Sequence, residues 1–202
     1  MYREDVAAIE QHAASSPDGL IDVVEFVLCT IQAGLSTVGM QRDDIARNGL
    51  RSRFLWGKKA DGLAYARDNA QFLWGKLHSL KEKGRNNPEA IAEATLLLMK
   101  VPNLGMVKAS FVLQCLGFNT ACIDSHNLTR LGLKASAVKV SDKLSPKARK
   151  TKVLAYVALC QEKGSEYWWN SWCEYVAGNK ANRYLTTGDA VSAYHVDCII
   201  RK

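Results

Sequence analysis

Apolar residues recur at helical spacing along most of this chain, and Pro, Gly, Ser and Asn mark the breaks between the runs. Residues 2–14 put Val6, Ile9 and Ala13 on one face and predict a short helix, broken at Ser15-Ser16-Pro17-Asp18-Gly19. From Leu20 to Ala33 the pattern is strongly apolar, through Val23, Val24, Phe26, Val27 and Ile31, and predicts a buried helix stopping before Gly34. Residues 35–85 divide into several short helices. Asn87-Pro88-Glu89 opens another, with Asn at the cap, Pro at the first position and an acid in the first turn. It runs through Ile91, Ala94, Leu97 and Leu98 to about Lys100, because Val101 precedes Pro102 and is pushed out of the helical region.

Pro102, Asn103, Leu104 and Gly105 then make a tight reversal, in which Asn103 and Gly105 can take positive φ at little cost. The next helix has Val107, Phe111 (or Ala109), Val112 and Leu116 at helical spacing and Gly117 as its stop. After a short turn come Ile123, Asp124, Ser125 and His126, where Asp124 or Ser125 can cap a third helix. Ser145-Pro146 starts another. The run EYWWNSWCEYV at 166–176 carries Trp168, Trp172, Tyr175 and Val176 at helical spacing, which predicts a core-packing helix, with Tyr167 and Trp169 off the stripe and able to wall a pocket. The tail from Asn179 to Lys202 is weakly periodic, and its polar residues Tyr194, His195 and Asp197 form no motif. The expectation is an all-α fold.

One short echo stands out: FLWGKK at 54–59 returns as FLWGKL at 72–77, about five helical turns later. It reads either as a duplicated unit or as chance, and Trp56 and Trp74 either stack on a base or join the core.

At 202 residues, 48% of them hydrophobic and only four of them Pro, the chain can bury a sizeable core and falls outside the disordered and collagenous classes. A net charge of +7 and a pI near 9.1 favour polyanionic partners over acidic proteins or neutral ligands. The six cysteines include no Cys-x-x-Cys pair, so buried reduced thiols in a cytoplasmic or nucleoid-associated protein are expected. No run reaches transmembrane length, the acidic start is unlike a signal peptide, and no membrane role is expected. The four histidines sit at no metal-ligand spacing, so no metal and no cofactor are expected.

The chemistry concentrates at 101–133. Two helices joined by a hydrophobic Pro-x-x-Gly hairpin point backbone N–H groups outward at the second helix's N-terminus, which suits a phosphate. An acid one helix later then lies near the bound backbone. Seven Lys or Arg residues fall in 134–152, against the single acid Asp142, and Lys147 and Lys150 are candidate contacts to a DNA backbone. The order of these parts, Val101-Pro102-Asn103-Leu104-Gly105 and then Ile123-Asp124-Ser125-His126, resembles the helix-hairpin-helix DNA glycosylase superfamily that contains endonuclease III. There the hairpin reads roughly Leu-Pro-Gly-Val-Gly and the acid lies in a Val-Asp-Thr-His run. The resemblance is dense over 101–133, looser over 20–120 and nearly absent beyond 150.

The resemblance implies one functional unit over 1–202. Its middle helical lobe would span 36–118, and residues 1–35 with 119–202 would form the other, with DNA across the cleft between them. It implies Asp124 as the catalytic acid, Asn103, Leu104, Gly105 and Val107 at the phosphate grip, and Gln32, in Cys-Thr-Ile-Gln-Ala, in the gap left by an extruded nucleotide together with Leu104 at the hairpin tip. The lyase branch carries a lysine where this chain has Val107. Lys108 lies one residue further, rotated about 100° around the helix, and is expected near phosphate. Four-cysteine iron–sulfur spacing is missing. The implied activity is that of a monomeric, monofunctional enzyme hydrolysing the base–sugar bond. The alternatives are a phage-type enzyme that displaces pyrophosphate from phosphorylated 5-hydroxymethyluracil with an amine, and a non-catalytic DNA-binding module.

Overall fold

Helices form where the sequence supplies both an apolar face and a cap. The computed structural model describes residues 2–178 and 184–200, apart from the side chain of His126, and holds eleven α-helices and no strand among them. The expectations for His126 and for 179–183 and 201–202 lie outside the described residues. α1 (Tyr2–Ser15) buries Val6, Ile9 and Ala13 as expected. Ser16, in extended backbone, accepts the Gly19 N–H at 3.1 Å, and Pro17 opens α2 (Pro17–Cys29). The two helices cross backbone-close at Gly19, where a Cβ would lie 2.2 Å from the His12 carbonyl oxygen.

α2 is buried on every side from Gly19 to Cys29 and is the axis of the core. It packs against α1, α3 (Val38–Asn48), α4 (Lys59–Asp68), α5 (Ala70–Glu82), α7 (Met106–Cys115) and α11 (Gly188–Ile200). It ends at Cys29 and not at Ala33 as its apolar pattern predicts. The Thr30 hydroxyl turns back to the Val27 carbonyl at 2.7 Å, and Gln32 takes φ 53, a left-handed conformation that ends the helix. α2 also buries two acids, Asp22 and Glu25, so these need partners. Arg42 of α3 donates to both, Nη2 to Asp22 Oδ1 and Nε to Glu25 Oε1, each at 3.0 Å. His12 contacts the other Asp22 oxygen at 2.9 Å, and Arg67 donates to the other Glu25 oxygen at 3.1 Å. Arg42 Nη1 donates to the carbonyls of Cys198 and Ile199, so one guanidinium ties α2, α3 and the end of α11 together.

α6 (Pro88–Leu98) starts as its sequence predicts, with Asn87 Oδ1 accepting the N–H groups of Glu89 and Ala90 at 3.0 and 3.3 Å. The hairpin closes through the Leu104 N–H to the Val101 carbonyl at 3.0 Å. Asn103 takes φ 71, but Gly105 is extended at φ −76, ψ 175 and caps α7. Of the two residues expected at positive φ, only Asn103 adopts it. α4 holds the hairpin from behind: a Cβ on Gly62 would lie 2.3 Å from the Pro102 carbonyl oxygen. α8 (Ser125–Leu131) follows, then α9 (Pro146–Lys163), with Ser145 Oγ accepting the Ala148 N–H at 3.3 Å, and α10 (Ser165–Ala177). α9 lies on α6, and α10 lies on α11, α9 and α1.

The two FLWGK copies do not share a structure. The first lies largely in turns around Gly57, at φ 59, with Trp56 49% exposed; the second lies inside α5, where Trp74 Nε1 donates to the Ala13 carbonyl at 3.1 Å. All six cysteines are free, and no helix among the described residues is long and apolar enough to cross a membrane.

Candidate active site

α2 stops four residues before its apolar pattern does, and the turn after it opens one wall of a cavity of about 470 Å³. That volume is within the range of small-molecule sites, roughly 300–1,000 Å³. The first wall is the turn itself, with Thr30, Ile31, Gln32 and Gly34. The second is one face of α7, where Lys108, Phe111 and Gln114 follow at i, i+3 and i+6. The third is the approach to α8, with Cys122, Asp124 and Ser125. α10 supplies Trp168, Trp169, Trp172 and Tyr175, and α11 supplies His195. The lining is therefore aromatic, with one carboxylate and one amine.

Asp124 caps α8 and faces the cavity at once. Its Oδ1 accepts the Asn127 N–H at 3.1 Å, its backbone carbonyl accepts the Leu128 N–H at 2.9 Å, and its Oδ2 accepts the Trp172 indole N–H at 3.1 Å. Both carboxylate oxygens are thus held from different elements, which fixes the direction in which the group faces. Gln114 is similarly immobilised, donating to the Ser165 carbonyl at 3.0 Å and accepting from the Cys122 N–H at 3.2 Å. Burial pushes the Cys122 thiol up to about 11, so it stands in the wall as a neutral thiol.

Lys108, expected near phosphate, is a cavity residue in the structure. It turns into the cavity, where Nζ donates to Thr30 Oγ1 at 3.2 Å and lies 5.4 Å from the centre of the Phe111 ring. The 100° rotation past Val107 does not keep it out. Val107 packs against the core edge, and the next position is the one that faces the void. Leu104 departs from expectation: it is 3% exposed and packs in the core, so it is no wedge at the hairpin tip, and its N–H is consumed by the turn. Asn103 and Gly105 remain exposed, and the first N–H groups of α7 have no partner within their own helix.

Gln32 lines the cavity and is exposed. The basic stretch is less concentrated than its sequence suggests. Lys150 pairs with Glu89 at 2.7 Å in the first turn of α6, about 15 Å along that helix from the hairpin. Arg149 pairs with Asp142 at 3.5 Å, while Lys147 is exposed on α9.

Trp168 and Val176 are buried in the core as the α10 stripe predicts and Trp172 packs against it, while Tyr175 is exposed; all four also border the cavity, joined by Trp169 but not by Tyr167, over which Lys163 lies at 4.8 Å. His195 is the residue that the sequence pattern left without a role. It is 1% exposed, and its ring centre lies 5.1 Å from Trp169, 5.2 Å from Trp172 and 5.4 Å from Phe26. Burial is the main cause that drives its pKa down to about 4. Comparison with known proteins returns no matching family model, no similar curated protein and no similar solved structure.

Proposed function

We propose that the cavity receives a nucleotide turned out of DNA and that Asp124 promotes scission of its base–sugar bond, as in helix-hairpin-helix DNA glycosylases. The observation that carries this reading is the Asp124 carboxylate, held by Trp172 and Asn127 at the edge of an aromatic cavity with Gln32 on its rim. As the bond breaks, the sugar gains oxocarbenium character, and the base leaves with the bonding electrons. A fixed carboxylate beside the anomeric carbon stabilises the cation and takes a proton from the water that adds there, while the departing base is protonated in turn. Aromatic walls offset the unstacking of the base. The two-lobed arrangement belongs to this reading: DNA lies between residues 36–118 and the remainder, its phosphate at Asn103 and Gly105 and on the first N–H groups of α7.

The test is release of free base from a panel of duplexes, each carrying one damaged or modified nucleotide. Asp124→Asn keeps an oxygen for the Asn127 N–H, and it should bind DNA as before while base release falls about 10²–10³-fold. Equal rates in both proteins would refute the assignment.

Lys108 supports a second reading, because its amine shares the cavity with Asp124. Once deprotonated, Nζ would add to the anomeric carbon as the base leaves, and opening of the sugar ring would give an imine. Borohydride reduces that imine to a stable protein–DNA adduct. An adduct formed by the wild type and absent from Lys108→Ala establishes the lyase course; its absence from both leaves water as the nucleophile.

A further inference from the structure

Buried histidines normally satisfy both ring nitrogens, and His195 satisfies one. Its Nδ1 lies 2.7 Å from the Val191 carbonyl, which can only accept, so Nδ1 carries the proton and Nε2 is a bare acceptor. Nε2 is buried and has no partner. The indole donors of the two tryptophans packed on the ring are committed elsewhere: the Trp169 N–H goes to Ser192 Oγ at 2.7 Å, and the Trp172 N–H goes to Asp124. Lys108 is turned to Thr30. With Nδ1 directed back along α11, Nε2 is the far atom of a ring that lines the cavity and is surrounded by Phe26, Phe111, Trp169 and Trp172.

An unpaired buried acceptor is destabilising, and a leucine or phenylalanine would avoid the cost. A ligand that slides between these rings and carries a hydrogen on nitrogen would remove it. We propose that His195 is a specificity-determining residue that reads the extruded base, accepting at Nε2 a hydrogen bond from an exocyclic amino or ring N–H group. The substrate class is then a base with a donor on its inserted edge, and bases presenting only acceptors there are discriminated against. Burial keeps the imidazole neutral, and therefore an acceptor, throughout the physiological range. The inference rests on the base-excision reading and adds to it a named contact.

The experiment uses duplexes that differ in one nucleotide whose fluorinated sugar resists scission, with binding read by fluorescence anisotropy. The pairs are adenine against purine, cytosine against 2-pyrimidinone and uracil against N3-methyluracil, with a tetrahydrofuran abasic duplex as the baseless control. The wild type should favour the donor-bearing member of at least one pair by about ten-fold, and His195→Phe should bring that preference within about two-fold. His195→Gln, which retains a distal acceptor, should keep most of the preference, and abasic binding should be the same in all three proteins. No preference in the wild type, or the same preference in His195→Phe, would overturn the proposal. Loss of binding to every duplex, the abasic one included, would refute the DNA reading itself. Nitrogen NMR of wild-type His195 needs no variant: its unprotonated Nε2 signal should shift when the best-bound duplex is added, and an unmoved signal sinks the contact.

Discussion

Arg42→Met removes a guanidinium that meets two carboxylates and two helix-terminal carbonyls at once. The side chains involved are 9%, 8% and 10% exposed for Arg42, Asp22 and Glu25, so none of the three is solvated well enough to lose its partner cheaply. Methionine fills much of the volume, and the loss is therefore electrostatic. Asp22 loses its guanidinium and retains the His12 contact, and Glu25 keeps Arg67, which is 41% exposed on its side chain and a weaker substitute. Breaking a buried pair from one side costs about 3–5 kcal/mol, a large part of the roughly 5–15 kcal/mol that holds a domain folded. For a chain of this size each kcal/mol lowers Tm by about 2–4 °C, giving a drop of roughly 6–20 °C. Thermal unfolding followed by circular dichroism measures it. The triple variant Asp22→Asn, Glu25→Gln, Arg42→Met removes all three charges together and should recover most of the loss, because the stranded carboxylates are gone. An Arg42→Met protein that melts within about 2 °C of wild type, or a triple variant no better than the single one, would refute the reasoning.

Three further outcomes follow from other parts of the molecule. At Gly105 a Cβ meets no atom within 4 Å and the backbone angles suit any residue, so Gly105→Ala should cost at most about 1 kcal/mol in chemical denaturation; on the proposed reading it should also weaken DNA binding about ten-fold in anisotropy, since the methyl would stand in the path of the phosphate. The His195 pKa falls to about 4 from an ordinary value of about 6.5, so between those values the unfolded chain takes up a proton that the folded one refuses. Stability should therefore decline as pH drops through that window, by up to roughly 3 kcal/mol in urea unfolding, and His195→Phe should remove that part of the slope. Burial pushes the thiols of Cys29, Cys160 and Cys173 up to about 12 and that of Cys122 up to about 11, so a disulfide exchange reagent at about pH 8 should react slowly with the native protein and quickly with all six cysteines after denaturation.

Local features were legible from sequence, because short-range rules govern them. Asn87-Pro88 and Ser145-Pro146 start helices because cap chemistry acts within three residues, and Asp124 begins α8 for the same reason. The face of a helix is also readable, but what stands opposite it is not. Trp168 and Trp172 keep their spacing whether they meet another helix or a void, and the void exists because α2 stops at Cys29. That early stop depends on a Thr30 hydroxyl turned inward and a strained Gln32, neither of which interrupts the apolar pattern. The facing of Lys108 was not legible either, because which side of α7 meets a void depends on the turn after α2, far away in sequence. His195 gave no signal because its significance is an unmade bond.

α2 links the stability of the molecule to its candidate chemistry. The Asp22–Arg42–Glu25 network fixes the middle of the helix to α3 and to the carbonyls of Cys198 and Ile199, three and four residues beyond His195. One turn past the network, the same helix ends and hands Thr30 to Lys108 and Gln32 to the cavity rim. Arg42 therefore ties the helix that ends at the Thr30 wall to the helix that carries His195, without lining the cavity itself. A shift of α11 against α2 would move the imidazole relative to Phe26 and Phe111 before any cavity residue changed its own rotamer, since packed helices move as bodies. On the base-excision reading proposed above, substitutions at Arg42 that leave the protein folded should alter discrimination among bases more than they alter the Asp124-dependent step. Asp124 is anchored to α8 and to Trp172 of α10, elements that the guanidinium does not hold.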